Sequence, residues 1–331
     1  MVYLTGNTSS MNIKKFLLIG LRPLFYSIVR FYFIGIPFNF GKIYLFDSLI
    51  RRVSWSNKKT FIGKTVLPGL SHTTYDFNFK CNPIEAVDSR IYFFGIWEPN
   101  LTHWILNRLN PGDIFIDIGA YIGYYSTIGA RLVGTKGKVI AFEANPKTFM
   151  RLKETIELNN INNIRLENIA ILEEEGTISL YSGQKFNSGS TTLIKNPNQE
   201  ALATVKAIPL SKSLSDEEIL RTRIIKIDVE GAELSVIKSL LPILNKFSKD
   251  MEIVVEISPS RLIEQGFSVD SLLSIFDSEG YMPYEIANDY STESYVSFVA
   301  NKKFISPKRI RGNITSQTDV LFSKHKYDVN I

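Results

Sequence analysis

Seven residues near the middle of the chain, Asp117-Ile118-Gly119-Ala120-Tyr121-Ile122-Gly123, stand where a strand-like run gives way to a helix-like one. Gly119 can take a backbone angle closed to other residues, and Ala120 is small enough for a ligand to come close to the main chain. Gly123 would let the following helix lie against the strand. A ligand at such a turn is expected to meet free backbone N–H groups at a helix N-terminus. Twenty residues past Gly123, at the end of the next strand-like run, Glu143 is placed to accept hydrogen bonds from both hydroxyls of a ribose. A dinucleotide fingerprint would read G-x-G-x-x-G around a pyrophosphate. Here the glycines read G-x-x-x-G, Tyr121 fills the place of the second glycine, and Asp117 would repel a pyrophosphate. The same acid suits a cationic or amino-bearing ligand, so the sulfonium and ammonium of S-adenosylmethionine fit better than NAD. The plain alternative is that Asp117 and Glu143 only cap helices.

These residues need a frame, and the chain supplies alternating strand and helix patterns. Ile114 to Ile118, Lys138 to Phe142, Ile164 to Asn168, Ile224 to Ile227 and Glu252 to Glu256 are short apolar runs with β-branched residues, the pattern of strands buried on both faces. Helical patterns over Tyr121–Val133, Pro146–Asn159 and Ala232–Leu241 lie between them, and such alternation implies right-handed crossovers and a parallel sheet. Past Asp270 the patterns give a helix, a strand at Tyr284–Ile286, and late strands at Tyr295–Val299 and Asp319–Phe322. Before the sheet, Phe61 to Phe94 reads as small strands and turns, and Glu98-Pro99 opens a helix that Asn110-Pro111-Gly112 closes. A strand at Thr177–Tyr181 precedes the polar stretch 182–200, which is expected to act as a lid.

Composition narrows the function classes. The 331 residues suggest one large α/β domain with an appendage, or two domains, with boundaries at 1–60 (a basic, apolar arm), 61–98 (a β-rich lead-in) and 99–331. A single cysteine, Cys81, excludes an intramolecular disulfide and a thiolate zinc cage, and it favours a reducing, cytoplasmic compartment. With His72, His103 and His325 far apart, no metal site is expected. The net charge of +5 divides into +9 over residues 1–64, −9 over 65–301 and +5 over 302–331. Basic ends on an acidic body attract anionic surfaces. No apolar run reaches the ~20 residues needed to cross a bilayer. Residues 13–38 therefore either lie at a membrane surface, with Lys14, Lys15, Arg22 and Arg30 at the headgroups, or form a helix packed on the main domain.

With these residues in view, the run from Gly112 to Gly123 resembles motif I of Rossmann-like class I methyltransferases, specifically the FkbM family. Three further runs agree: Ala141-Phe142-Glu143-Ala144-Asn145-Pro146; Asn168-Ile169-Ala170-Ile171 with Glu175-Gly176-Thr177; and Ile225-Lys226-Ile227-Asp228-Val229-Glu230-Gly231-Ala232-Glu233. Tyr92-Phe93-Phe94-Gly95 followed by Glu98-Pro99 resembles the family's entry segment. The likeness spans about residues 75–325 and leaves the N-terminal arm unexplained. It implies an α/β fold with a seven-stranded, mostly parallel sheet and helices on both faces. It also implies S-adenosylmethionine as methyl donor and a hydroxyl acceptor on a sugar, polyketide or other secondary metabolite. Carried over, Gly119 and Gly123 shape the methionine-side turn, Glu143 holds the ribose, and Asn168, Ile169 and Ala170 lie near the adenine.

An alcohol acceptor must lose a proton, which calls for a positioned base. Asp228, Glu230 and Glu256 are the candidates, each close to the carboxyl end of a strand, where open α/β sheets bind ligands. Glu233, one helical turn after Glu230, reads equally well as a helix-terminal acid. Two rival readings remain. A nucleic-acid methyltransferase is disfavoured by the two acids of Asp228-Val229-Glu230-Gly231, which would repel phosphate. A non-catalytic, membrane-attached binding module is disfavoured by the intact Gly119, Glu143 and Asp228.

Overall fold

The two cores are written into the strands as a period of two. In Ile114–Ile118 every residue is buried. Phe115 joins Val139, Ala141, Ile224 and Val254 in one core, while Ile114, Ile116 and Ile118 join Ile140, Phe142, Ile225 and Ile227 in the other. Successive side chains leave a strand on opposite faces, so a strand buried at every position demands helices on both sides. Each fully buried Ile or Phe contributes roughly 1.5–3 kcal/mol relative to exposure.

The computed structural model describes residues 28, 31–33, 42, 45, 61–68, 74–82, 85–182, 191–192, 199–301 and 303–327. The first described strands form an antiparallel pair, β1 (Phe61–Pro68) and β2 (Thr74–Cys81), followed by helices α1 (Ala86–Phe94) and α2 (Pro99–Leu106). Then come β3 (Ile114–Ile118), α3 (Tyr124–Val133), β4 (Lys138–Phe142), α4 (Pro146–Leu158) and β5 (Ile164–Glu167). An accessory sheet holds β6 (Ala170–Ile171), β7 (Gly176–Ser182), β8 (Thr191–Thr192) and β9 (Ala203–Ile208) in the order β6-β9-β7-β8. The main chain resumes with α5 (Asp216–Arg221), β10 (Thr222–Ile227), α6 (Glu233–Leu240), β11 (Glu252–Ile257), α7 (Pro259–Glu264), α8 (Val269–Ser278), β12 (Met282–Ile286), α9 (Thr292–Asn301), β13 (Lys308–Arg309) and β14 (Thr318–Ser323).

The main sheet runs β13-β12-β14-β11-β10-β3-β4-β5. Its β11-β10-β3-β4-β5 part is parallel, and β14 inserts antiparallel between β11 and β12. This is the α/β Rossmann-like sheet expected from the sequence, with seven longer strands and a two-residue eighth, β13, at the edge. Helices α3 and α4 close the first core, and α6 and α8 close the second.

Two elements differ from the sequence reading. Residues 86–94, expected as strand and turn, form α1, which Gly95 ends at φ 74°. Its run Ile91-Tyr92-Phe93-Phe94 is buried throughout, so the apolar pattern lacks the exposed face that marks a surface helix. Tyr295–Val299, expected as a strand, lies inside α9, which starts where the Ser291 side chain accepts from the Ser294 N–H; its valines mimic strand composition. In addition α3 starts at Tyr124, because Tyr121 (φ 52°) and Gly123 (φ 85°) are left-handed and cannot continue a helix backwards.

Most of the N-terminal arm, including most of the candidate membrane segment 13–38, lies outside the described residues, as does most of the expected lid at 182–200. Within the arm, Phe33 is fully buried, with its ring edge-on to Phe93 and Phe94 of α1. Among the described residues no helix is long and apolar enough to cross a membrane.

Candidate functional site

The parallel strands end on one side of the sheet, and a cavity of about 280 Å³ opens there. Its wall joins residues from both halves of the chain: Gly119, Ala120, Tyr121, Glu143 and Ile169–Leu172 from the first, and Asp228, Glu230, Glu256 and Gln317 from the second.

The turn after β3 is fixed by packing. Gly119 has φ 85°, and a Cβ there would lie 1.8 Å from the carbonyl oxygen of Asp228, so only glycine lets this turn pass the end of β10. The expectation of free turn amides is not met. Gly119 and Ala120 N–H donate to the Phe142 carbonyl, Tyr121 N–H donates to Glu143 Oε2 at 3.0 Å, and Gly123 N–H donates to the Ala120 carbonyl. The turn spends its amides on tying β3 to the end of β4, where Glu143 stands. Gly123 does not face the cavity; a Cβ there would press on Leu152 of α4 at 2.5 Å.

Glu143 is gripped from two sides, Oε2 by Tyr121 N–H and Oε1 by Asn145 N–H at 2.9 Å. Burial pushes its carboxyl up to about 7, and no cation pairs with it among the described residues. Each oxygen keeps a second lone pair. Asn168 stands behind this loop, its amide donating to the carbonyls of Glu143 and Ala144, while Ile169 and Ala170 reach the cavity. Asp117 lies beneath the turn and off the cavity wall. It is 1% exposed, accepts from Ser126 Oγ at 2.5 Å, and faces Lys226 across the β3–β10 register.

A buried acid of α1 holds Tyr121 itself. Asp88 pairs with Arg151 of α4, Tyr121 Oη donates to Asp88 Oδ1 at 3.3 Å, and the Arg151 guanidinium lies 5.6 Å from the Tyr121 ring centre. The lead-in helix thereby sets the residue whose amide orients Glu143.

The opposite end of the cavity is acidic. Asp228 forms an ion pair with Lys226 at 2.6 Å. Burial works against charge on Lys226, but Asp228, Asp117 and Glu98 outweigh it and hold the ammonium's pKa above its usual value. Glu230 pairs with Arg261, and burial raises its carboxyl. Glu256 has no ion pair among the described residues; burial, then Asp228 and Asp319, push its carboxyl well above the ordinary range. Its register partner on β14 is Asp319, and carboxylate oxygens of Glu98, Glu256 and Asp319 lie within 4.8 Å of one another. Glu233 is 2% exposed and accepts the Gly231 N–H, as a helix-terminal acid does.

The structure therefore brings Gly119, Ala120, Glu143, Ile169, Ala170, Asp228, Glu230 and Glu256 to one wall and leaves Asp117, Gly123 and Asn168 as supports behind it. Sequence reasoning missed Glu98, Lys226 and Asp319. Glu98 sits at the start of α2 with φ 40° and accepts hydrogen bonds from Tyr125 at 2.6 Å and Tyr290 at 2.8 Å. Lys226 and Asp319 carried a readable signal, a lone charge inside an apolar strand.

A parallel sheet with a glycine turn after its first strand and an acid at the tip of its second defines a class I S-adenosylmethionine-dependent methyltransferase fold. A family model, the Methyltransferase FkbM domain, matches residues 117–283, and the chain belongs to that family. Membership implies S-adenosylmethionine as methyl donor, and the uncompensated Glu143 and the apolar strip Ile169–Leu172 fit its ribose and adenine. Among relatives, the chain is 29% identical over 143 residues to the hexuronic acid methyltransferase AglP of Haloferax volcanii, covering 43% of this chain and 56% of that one. It is 23% identical over 149 residues to methyltransferase 1 of Beauveria bassiana, covering 39% and 59%. The chain thus spans a little over half the length of these relatives. Of solved structures, the FkbM methyltransferase of Methylobacillus flagellatus superposes with a TM-score of 0.35 at 15% identity, covering 72% of this chain and 53% of that one.

Proposed function

We propose that this chain methylates a hydroxyl group of a sugar or glycan, with S-adenosylmethionine as donor. The observation that carries this reading is one continuous cavity, with Glu143 at one end and the carboxylates of Asp228 and Glu256 at the other. S-adenosylmethionine bound there supplies a methyl group already activated on a sulfonium, so the protein has to align the acceptor and manage its proton.

Glu143, steadied by two backbone amides, holds the ribose hydroxyls. Glu256 is the best-placed proton acceptor of the three candidate acids, because Lys226 already engages Asp228 and Arg261 already engages Glu230. Asp228 keeps Lys226 charged and fixes the end of β10 beside the glycine turn. The hexuronic acid named for the Haloferax volcanii relative supports a sugar acceptor. The buried single cysteine, Cys81, agrees with a cytoplasmic setting.

The test has two stages. Calorimetric titration with S-adenosylhomocysteine should show a single saturable site, and an absence of binding would remove the donor assignment. Mass spectrometry of glycans from cells with and without this chain should then show a methyl ether that depends on it; methylation confined to nucleic acid would refute the sugar assignment.

A further inference from the structure

The acceptor end of the cavity holds more acid than proton abstraction requires. Glu98, Glu256 and Asp319 crowd within 4.8 Å, yet Lys226 and Arg261 make their ion pairs with Asp228 and Glu230 instead. The partners of the three are neutral: Tyr125 and Tyr290 for Glu98, Gln317 for Glu256, and Asn288 for Asp319. Glu256 is only 8% exposed and lines the cavity, but its one hydrogen bond goes to Oε1. Oε2 has no partner among the described residues. This oxygen of a largely buried side chain is reached from the cavity alone, where a donor on a bound molecule can meet it. Beside it, Trp97 and Tyr290 lie 5.4 Å apart at 33°, giving the same wall aromatic surface that suits sugar C–H faces and cations.

We propose that this end of the cavity selects a hydroxyl-rich acceptor that is uncharged or carries an ammonium group, and rejects a uronate. A carboxylate entering here would be the fourth acid in the cluster and would find both nearby cations already engaged. Once Glu256 is ionised, like-charge contact with a second carboxylate in a desolvated site costs several kcal/mol, whereas hydroxyl or ammonium donors satisfy it. The acceptor would then differ in charge from the hexuronic acid in the name of the Haloferax volcanii relative. The proposal rests on the donor reading above.

The test needs no knowledge of the natural acceptor. Three analogues of S-adenosylhomocysteine, with nitrogen in place of sulfur, would carry a short arm ending in a hydroxyl, an ammonium or a carboxylate. Their affinities for the intact chain would be measured by calorimetry on the alkaline side of neutrality, where Glu256 has given up the proton that burial helps it keep. The hydroxyl and ammonium arms should bind at least about 10-fold more tightly than the carboxylate arm. That gap should narrow in Glu256→Gln, or in Asp319→Asn should the first variant not fold. A carboxylate arm that binds as well as the others, or a gap unchanged in the variants, overturns the proposal. Failure of S-adenosylhomocysteine itself to bind overturns the donor reading and this proposal together.

Discussion

In the proposed function Glu143 is the residue that holds the donor, and its environment fixes what removing it should do. A hydrogen bond to a charged group contributes about 1.5–3 kcal/mol, so Glu143→Ala should weaken S-adenosylhomocysteine binding by roughly 10- to 100-fold, measured calorimetrically with the circular dichroism spectrum unchanged. Because burial pushes this carboxyl up to about 7, donor affinity should rise as pH increases through neutrality, and Glu143→Gln should flatten that profile. Glu256 is the base in the proposed reaction. Losing a general base costs about 10²–10⁴ in rate, so Glu256→Gln should cut turnover by that factor while donor affinity stays near that of the parent protein. Turnover in the parent should climb with pH as Glu256 loses the proton that burial helps it keep.

At the scale of elements, the turn after β3 and helix α1 carry the strongest constraints. Gly119→Ala forces a side chain into a left-handed position and against the Asp228 carbonyl. It should cost about 2 kcal/mol or more in denaturant unfolding and abolish donor binding. Asp88→Ala leaves Arg151 without its buried partner and should cost about 3 kcal/mol. It should also weaken donor binding, since Tyr121 loses the contact that sets its amide against Glu143. A loss of stability with donor affinity intact would show that Asp88 only holds the helices together. The strands β3, β4, β10 and β11 were legible in sequence because their apolar runs are short and bounded. Helix α1 was not, since its last four residues are all apolar and buried and leave no amphipathic stripe. Donor-side residues were legible because they fall within about fifty positions in one motif series. Glu98, Tyr290 and Gln317 were not, since only the folding of distant segments brings them together; Lys226 and Asp319 were readable and were passed over.

Across the whole molecule, the buried acids should leave a mark on stability. Glu143 and Glu233 both rise from 4.5 to about 7 through burial. An acid whose folded value is raised stabilises the fold fully below its unfolded value and loses that contribution as pH climbs through the folded one. Each group contributes roughly 3 kcal/mol at acid pH that is lost between about 4.5 and 7. Glu252, which burial would raise but Arg108, Tyr327 and Arg223 hold below the ordinary range, acts in the opposite sense and loses its contribution only under more acid conditions. The melting temperature of the ligand-free protein should therefore fall from pH 5 to pH 8, and Glu233→Gln should reduce the slope. A melting temperature that rises over this interval would refute the assignment of neutral acids to the interior.

The two ends of the cavity are drawn from the chain in different ways. The donor end is a short contiguous stretch around β3, β4 and β6, whereas Glu98, Asp228, Glu256, Tyr290 and Gln317 come from five separate places. Divergence can therefore rewrite the second set one segment at a time and leave the first untouched. Kin of this chain can inherit a common methyl source while parting company over what receives it, and a chimera exchanging the loop between β12 and α9 and the loop before β14 should carry one member's taste in substrates into another.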